Sequence, residues 1–115
     1  MYLYGIDLFN HHYWWEAHEA WEIVWKCVPR FSRSGLFLQG LIQITAAMLK
    51  SEQGLRQASE RLARSGIEKL DLAGNVYFGV DIPDFSERVR AYVAGKSERP
   101  ASITLVIPPT GNTTA

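Results

Sequence analysis

The chain has 115 residues, and its twelve basic side chains balance its twelve acidic ones, so that the formal net charge is zero. This length suits one domain with a single core. The absence of a basic excess argues against a nucleic-acid-binding protein, and a zero net charge permits self-association because copies do not repel one another. The most apolar stretch, residues 36–49, contains two glutamines and is too short to span a bilayer. A lone cysteine, Cys27, is typical of a reducing compartment, so we expect a cytoplasmic protein with no membrane association.

Helical periodicity follows from the spacing of apolar residues along the chain. Asp7 is predicted to cap a short turn through residues 8–10. A long helix is predicted over Tyr13–Val28, ending before Pro29, which disfavours the helical conformation at the residue before it. The next helix, Leu36–Glu52, is apolar on most sides, and we expect it to pack antiparallel to its predecessor at the centre of the fold.

Two further helices are predicted, over Leu55–Leu72 and over Phe85–Ala94, the second capped by Asp84. The sequence therefore predicts an all-α, single-domain, compact helical bundle over residues 1–95, with an irregular or short-strand C-terminal tail over residues 96–115. Within that tail, Ile103–Ile107 is apolar and β-prone. We expect it to pack on its own bundle or on another copy.

Small residues lie along one side of the Leu36–Glu52 helix, where Gly40 and Ala47 accompany Gln43. Such residues permit a neighbouring backbone to approach closely. A buried Gln43 would require a hydrogen-bonding partner there. Gly66 in the following helix either permits the same close packing or weakens the helix by about 1 kcal/mol relative to alanine.

Candidate chemistry is concentrated between residues 10 and 25, which contain all four tryptophans and all three histidines. His18 and Glu22 are four residues apart, so they share a helix face and can touch. One interpretation is a pair of metal ligands, with His18 and Glu22 as the candidates. The other is a partly buried polar cluster in which Glu22 and Gln43 hold His18. The zinc-protease pattern requires a second histidine where Glu22 stands, and we expect no metal and no other cofactor.

Two segments carry a resemblance to a known family. The first reads Phe9-Asn10, then Trp14-Trp15-Glu16-Ala17-His18-Glu19, then Glu22 and Trp25, and the second reads Phe37-Leu38-Gln39-Gly40-Leu41-Ile42-Gln43, then Ala46-Ala47. Together they resemble the family called domain of unknown function 309, over about residues 5–94. The resemblance implies a compact helical bundle and no established activity. Its motif positions are the candidate ligand-binding or polar cluster, namely Asn10, Glu16, His18, Glu19, Glu22, Gln39 and Gln43.

The sequence is compatible with three functions. The first is a non-enzymatic binding or interaction module with a polar cluster in an aromatic-rich core, for an unknown small molecule or protein. The second is a metal-dependent hydrolase using His18, Glu19 and Glu22, although carboxylates spaced by three spread over about 120° of a helix surface instead of converging. The third is a purely structural homo-oligomer, self-associating through an apolar surface or the C-terminal tail. A cavity beside His18 lined by several carboxylates would favour the second, and deep enclosure without a cavity would favour the third.

Overall fold

A computed structural model describes residues 1–106 of the chain. Five helices and one antiparallel hairpin occur in these residues: α1 (Tyr2–Asn10), α2 (Trp14–Trp25), α3 (Arg33–Glu52), α4 (Arg56–Asp71), β1 (Val76–Tyr77), β2 (Val80–Asp81) and α5 (Ile82–Val93). The prediction of a mostly helical, compact bundle is confirmed. None of these helices combines the length and the apolar character that crossing a membrane requires.

Helix α3 is the centre of the fold, as its apolar sequence predicts. It lies between α2 on one side and α4 on the other, while α1 packs on α2 and α5 packs on α4. Trp14 at the start of α2 donates from Nε1 to Glu52 Oε2 at the end of α3, at 3.0 Å, so these two helices run antiparallel. The largest buried side chains form one core: Phe9, Trp21, Phe37, Leu38, Leu41, Ile44, Met48, Leu70, Ile82 and Val89.

The contact between α3 and α4 is made by small residues. A Cβ atom added to Gly40 would lie 2.7 Å from the carbonyl oxygen of Gly66, and one added to Gly66 would lie 2.7 Å from that of Gly40. Two turns further along, Ser59 Oγ donates to the carbonyl oxygen of Ala47 at 2.8 Å. Of the two interpretations of Gly66, close packing is therefore the correct one.

The ends of α1 and α2 differ from the prediction. Helix α1 is not a turn capped by Asp7 but begins at Tyr2, because Ile6 and Phe9 are buried in the core. A segment this short carries too few apolar positions for its periodicity to be recognised. Helix α2 ends at Trp25 instead of Val28, since Cys27 N–H already bonds the carbonyl of Val24, three residues back, in a tightened last turn.

The starts of α3 and α5 also lie earlier than predicted. Helix α3 begins at Arg33 because the Ser32 hydroxyl accepts a hydrogen bond from Gly35 N–H at 3.0 Å, which places the cap inside the predicted loop. Helix α5 begins at Ile82. Its capping residue is Asp81, whose Oδ1 accepts from Asp84 N–H at 3.1 Å, so the assignment of the cap to Asp84 was wrong by three residues.

The described part of the C-terminal tail has no regular secondary structure and packs on its own bundle. Ala101 and Ile103 are buried in the core, and Val106 N–H donates to the carbonyl of Gly79 in the hairpin at 2.7 Å. Within residues 1–106, the short strands are therefore those of the hairpin, whereas the β-prone tail is irregular through residue 106. Ile107, the last residue of the predicted β-prone run, lies outside the described residues.

The hairpin turn is held against α1 by Tyr2. Phe78 and Gly79 both have positive φ, 46° and 79°, as the tight two-residue turn of a hairpin requires. The Tyr2 hydroxyl donates to the carbonyl of Phe78 at 2.9 Å. Burial raises the pKa of Tyr2 well above its usual range, because ionisation would leave a charge in an apolar environment.

A pH dependence follows from this half-buried phenol. Because the folded-state pKa of Tyr2 is raised, its contribution to stability is complete below the unfolded-state pKa of about 10 and is lost as the pH rises above that value. The free-energy difference between wild type and Tyr2→Phe is expected to shrink by about 1 kcal/mol between pH 8 and pH 11. Urea unfolding of both proteins across this range measures it. Parallel stability curves would contradict the assignment.

Candidate functional site

His18 and Glu22 lie one turn apart on α2, as the spacing predicts. His18 Nδ1 is 3.2 Å from Glu22 Oε2, and the two side chains are 23% and 36% exposed. This is an ion-pair distance, yet the alignment is not that of a hydrogen bond, and the buried Nδ1 has no hydrogen-bond partner in the described chain. Trp15 stacks on the imidazole with ring centroids 5.5 Å apart and planes within 3° of parallel. The imidazole is thus held in place by Trp15 but is not fully satisfied.

A small cleft opens beside this pair, between α2 and α3. It has a volume of about 190 Å³ and is lined by His18, Glu22, Trp25, Gln39, Ile42 and Gln43. Trp25 Nε1 is buried, and nothing in the described residues accepts its proton. In contrast, Trp14 Nε1 donates to Glu52, and Trp21 Nε1 donates to the carbonyl of Tyr2 at 3.1 Å. The cleft therefore brings together two nitrogen atoms without partners, on His18 and on Trp25.

Gln43 is bonded to α4, and not to His18 as the cluster interpretation expected. Its Oε1 accepts from Ser65 Oγ at 3.1 Å and from Lys69 Nζ at 3.0 Å. Lys69 Nζ also donates to Ser65 Oγ at 3.1 Å, so three side chains form a closed network across α3 and α4. Gln43 and His18 line the same cleft, but no hydrogen bond of the described chain joins them. The requirement of Gln43 for a partner was predicted correctly, but the identity of the partner was not.

A double-mutant cycle tests this network. Gln43→Ala and Ser65→Ala are expected to be non-additive, with a coupling of about 0.5–1.5 kcal/mol in the free energy of unfolding, because each removes the same hydrogen bond. Gln43→Ala combined with His18→Ala is expected to be additive within about 0.5 kcal/mol. Chemical denaturation of the single and double variants provides these values. Coupling of Gln43 to His18 and none to Ser65 would contradict this network and would indicate a bond between Gln43 and His18.

The seven motif positions fall into two groups. His18, Glu22, Gln39 and Gln43 line the cleft. The other three do not: Glu16 and Glu19 are exposed on α2, and Asn10 binds the C-terminal segment. Asn10 Nδ2 donates to the carbonyl of Ile103 at 2.8 Å, and Ile103 N–H donates to Asn10 Oδ1 at 2.7 Å.

Sequence reasoning missed three participants. Trp25 was not among the candidate cluster residues, yet it lines the cleft, and Ser65 and Lys69 were not considered. The spacing of Ser65 and Lys69, four residues apart on α4, was a signal that they share a face. It did not reveal which neighbouring helix that face meets.

The cleft belongs to a larger surface, which we call the open face. It consists of half-buried side chains at helical spacing on the three adjacent helices, on the side away from the core: His18, Glu22 and Trp25 on α2; Gln39, Ile42, Gln43, Ala46 and Leu49 on α3; and Ala58, Leu62, Ser65 and Lys69 on α4. Four of these residues are large and apolar, namely Trp25, Ile42, Leu49 and Leu62, and the polar ones are gathered around Gln43. The described chain thus leaves this side of α3 partly covered.

A larger groove lies elsewhere, between α4 and α5. Its volume is about 380 Å³, with Ala63, Ile67 and Val93 among the apolar residues and Arg64 and Arg90 among the charged residues that line it. None of the seven motif positions lines this groove. Size favours this groove, whereas the unsatisfied buried nitrogens and the motif favour the cleft, and we take the cleft as the candidate site.

The donor set for a metal ion is small. Residues 1–106 contain no group of three histidine, cysteine, aspartate or glutamate side chains placed to hold one. Of the acids on α2, only Glu22 lines the cleft. The cleft is lined by hydrogen-bonding side chains and a single carboxylate.

Comparison with known proteins identifies a family. The model of the family described as Domain of unknown function (DUF309) matches residues 2–62, more than half of the 115 residues. The match covers α1, α2, α3 and the first part of α4, and it includes all seven motif positions. No curated protein matches the chain.

Proposed function

The chain belongs to the DUF309 family, and we propose that it is a binding module whose recognition surface is the open face. The centre of recognition is the cleft between α2 and α3. A bound group supplies a hydrogen-bond acceptor to Trp25 Nε1 and completes the bonding of His18.

The observation that carries this proposal is the pair of unsatisfied buried nitrogens. Trp25 Nε1 and His18 Nδ1 have no hydrogen-bond partner in the described chain, and both residues line the cleft. Buried polar groups in native proteins are nearly always bonded, and leaving one unbonded costs about 1–3 kcal/mol. A ligand that satisfies both regains much of this free energy on binding.

We favour binding over metal-dependent hydrolysis with His18, Glu19 and Glu22. Glu19 is exposed and does not line the cleft. A general acid and a general base need two converging groups in different environments, and the cleft has a single carboxylate. It is also open, and not the enclosed arrangement expected of a purely structural cluster.

The test uses the indole protons as reporters. Uniformly ¹⁵N-labelled protein is titrated with acetamide and, separately, with acetate, while the indole Nε1–H resonances are followed. The Trp25 resonance, assigned with Trp25→Phe, is expected to shift saturably with at least one probe. Since each probe has only four heavy atoms, dissociation constants of about 1–100 mM are expected.

Two indoles serve as internal controls. Trp14 and Trp21 already donate to Glu52 and to Tyr2, so their resonances are expected not to follow the Trp25 curve. The matched variant is Gln39→Ala, which enlarges the cleft while leaving Trp25 in place and is expected to weaken binding of the probe. Equal shifts of all indoles, or no saturable shift with either probe, would refute the proposal.

A further inference from the structure

We propose that the partner bound by the open face is a second copy of this chain, related to the first by a two-fold axis parallel to α3. This inference rests on the proposed function, because it identifies the occupant of the same surface. It assigns to the homodimer a defined pair of charge contacts, between Glu22 of each copy and Lys69 of the other.

The shape of the open face suits such an association. The three helices form one layer with α3 in the middle, and the face is built from half-buried side chains on all three. Ile42 and Leu49 lie along α3, and Leu62 lies beside them on α4. These apolar side chains pack against the core at their bases but stay partly exposed in the described chain. A second layer of the same kind would bury them.

The distribution of charge selects the symmetry. Glu22 lies on the α2 edge of the face and lines the cleft with Gln43. Lys69 lies on the α4 edge, with Nζ 3.0 Å from Gln43 Oε1, so both charges are at the level of Gln43 but on opposite sides of α3. A two-fold axis parallel to α3 exchanges the two edges, placing each Glu22 opposite the partner's Lys69. An axis lying across α3 would instead place each Glu22 opposite the partner's Glu22 and each Lys69 opposite the partner's Lys69. Such contacts between like charges are unfavourable.

The net charge of the chain is consistent with this assembly. The chain has no net charge, so long-range repulsion between copies is absent. Lys50 borders the face two turns beyond Gln43 on α3, and a basic residue at the rim of an interface stays hydrated.

Charge reversal gives a test with an internal rescue. Glu22→Lys and Lys69→Glu are each expected to weaken self-association about a hundredfold or more, since each juxtaposes like charges at both contacts. An equimolar mixture of the two variants is expected to associate as a heterodimer, because the introduced lysine then meets the introduced glutamate and the native pair is kept. The double variant, which carries both changes in one chain, is expected to form a homodimer again, because opposite charges then face each other at both contacts. Sedimentation velocity over a concentration series measures all four.

Controls separate the interface from general effects of charge. Glu68→Lys and Lys96→Glu make the same charge changes at exposed positions outside the open face, and they are expected to associate like wild type. Thermal unfolding of each variant identifies any that fails to fold. A wild-type chain that stays monomeric at millimolar concentration would overturn the homodimer, and so would the loss of association in the mixture and in the double variant. A homodimer would cover the cleft, so the Trp25 titration is carried out on Lys69→Glu, which is expected to be monomeric and whose altered residue does not line the cleft. A monomer that binds the probe would leave the binding surface standing even if wild type does not associate.

Discussion

Gly40→Ala and Gly66→Ala are each expected to lower the free energy of unfolding by about 2–3 kcal/mol, the cost typical of overpacking a well-packed contact. Either new Cβ atom would lie 2.7 Å from a backbone carbonyl oxygen of the facing helix, which cannot rotate away. The helices α3 and α4 must therefore separate. For a domain of this size, the melting temperature is expected to fall by roughly 6–15 °C. Differential scanning calorimetry and urea unfolding measure both quantities.

Helix propensity alone predicts the opposite sign, because alanine is better than glycine within a helix by about 1 kcal/mol. Gly54→Ala is the control. Its φ is +75° and nothing lies within 4 Å of the added Cβ, so only the backbone cost of about 1–2 kcal/mol is expected. The double variant Gly40→Ala with Gly66→Ala is expected to lose less than the sum of the single variants, since one separation relieves both clashes. Stabilisation by either single change would show that the two helices are not in close contact.

Asn10→Ala is expected to release the C-terminal segment and to cost about 2–4 kcal/mol. The Asn10 side chain bonds both the N–H and the carbonyl of Ile103, and Ile103 is 4% exposed. Both main-chain groups would be left buried without partners, or Ile103 would leave the core. Hydrogen exchange of the Ile103 amide is expected to accelerate at least about tenfold, alongside the loss of stability measured by urea unfolding.

Truncation of the chain gives the complementary measurement. Removing residues 97–115 deletes the buried Ala101 and Ile103 and is expected to lower thermal stability. In the truncated chain, Asn10→Ala is expected to have almost no further effect, because its partner is gone. Ser102→Ala, a change at an exposed position of the same segment, is the matched control. An equal cost of Asn10→Ala in the full and truncated chains would mean that Asn10 does not act through Ile103.

Local geometry explains which features the sequence predicts well. The apolar character of residues 36–49 identifies α3 as the central helix, and burial of Phe37, Leu41 and Ile44 confirms it. Residues four apart on a helix must be neighbours, so the proximity of His18 and Glu22 follows from the sequence. The small side chain at Gly40 predicts a close approach, and only the identity of the approaching residue was left open.

The sequence by itself determined the helical class, the central helix and the pairing of His18 with Glu22, because each follows from the composition or the spacing of residues within one segment. Only the tertiary structure decided that Gln43 meets Ser65 and Lys69, 22 and 26 positions away, and that Asn10 meets Ile103, 93 positions away. Contacts at such separations depend on how whole helices are placed, and the placement is set by the burial of all apolar faces together. A motif can therefore mark Asn10 and Gln43 as important, whereas their different tasks arise only when the chain is folded.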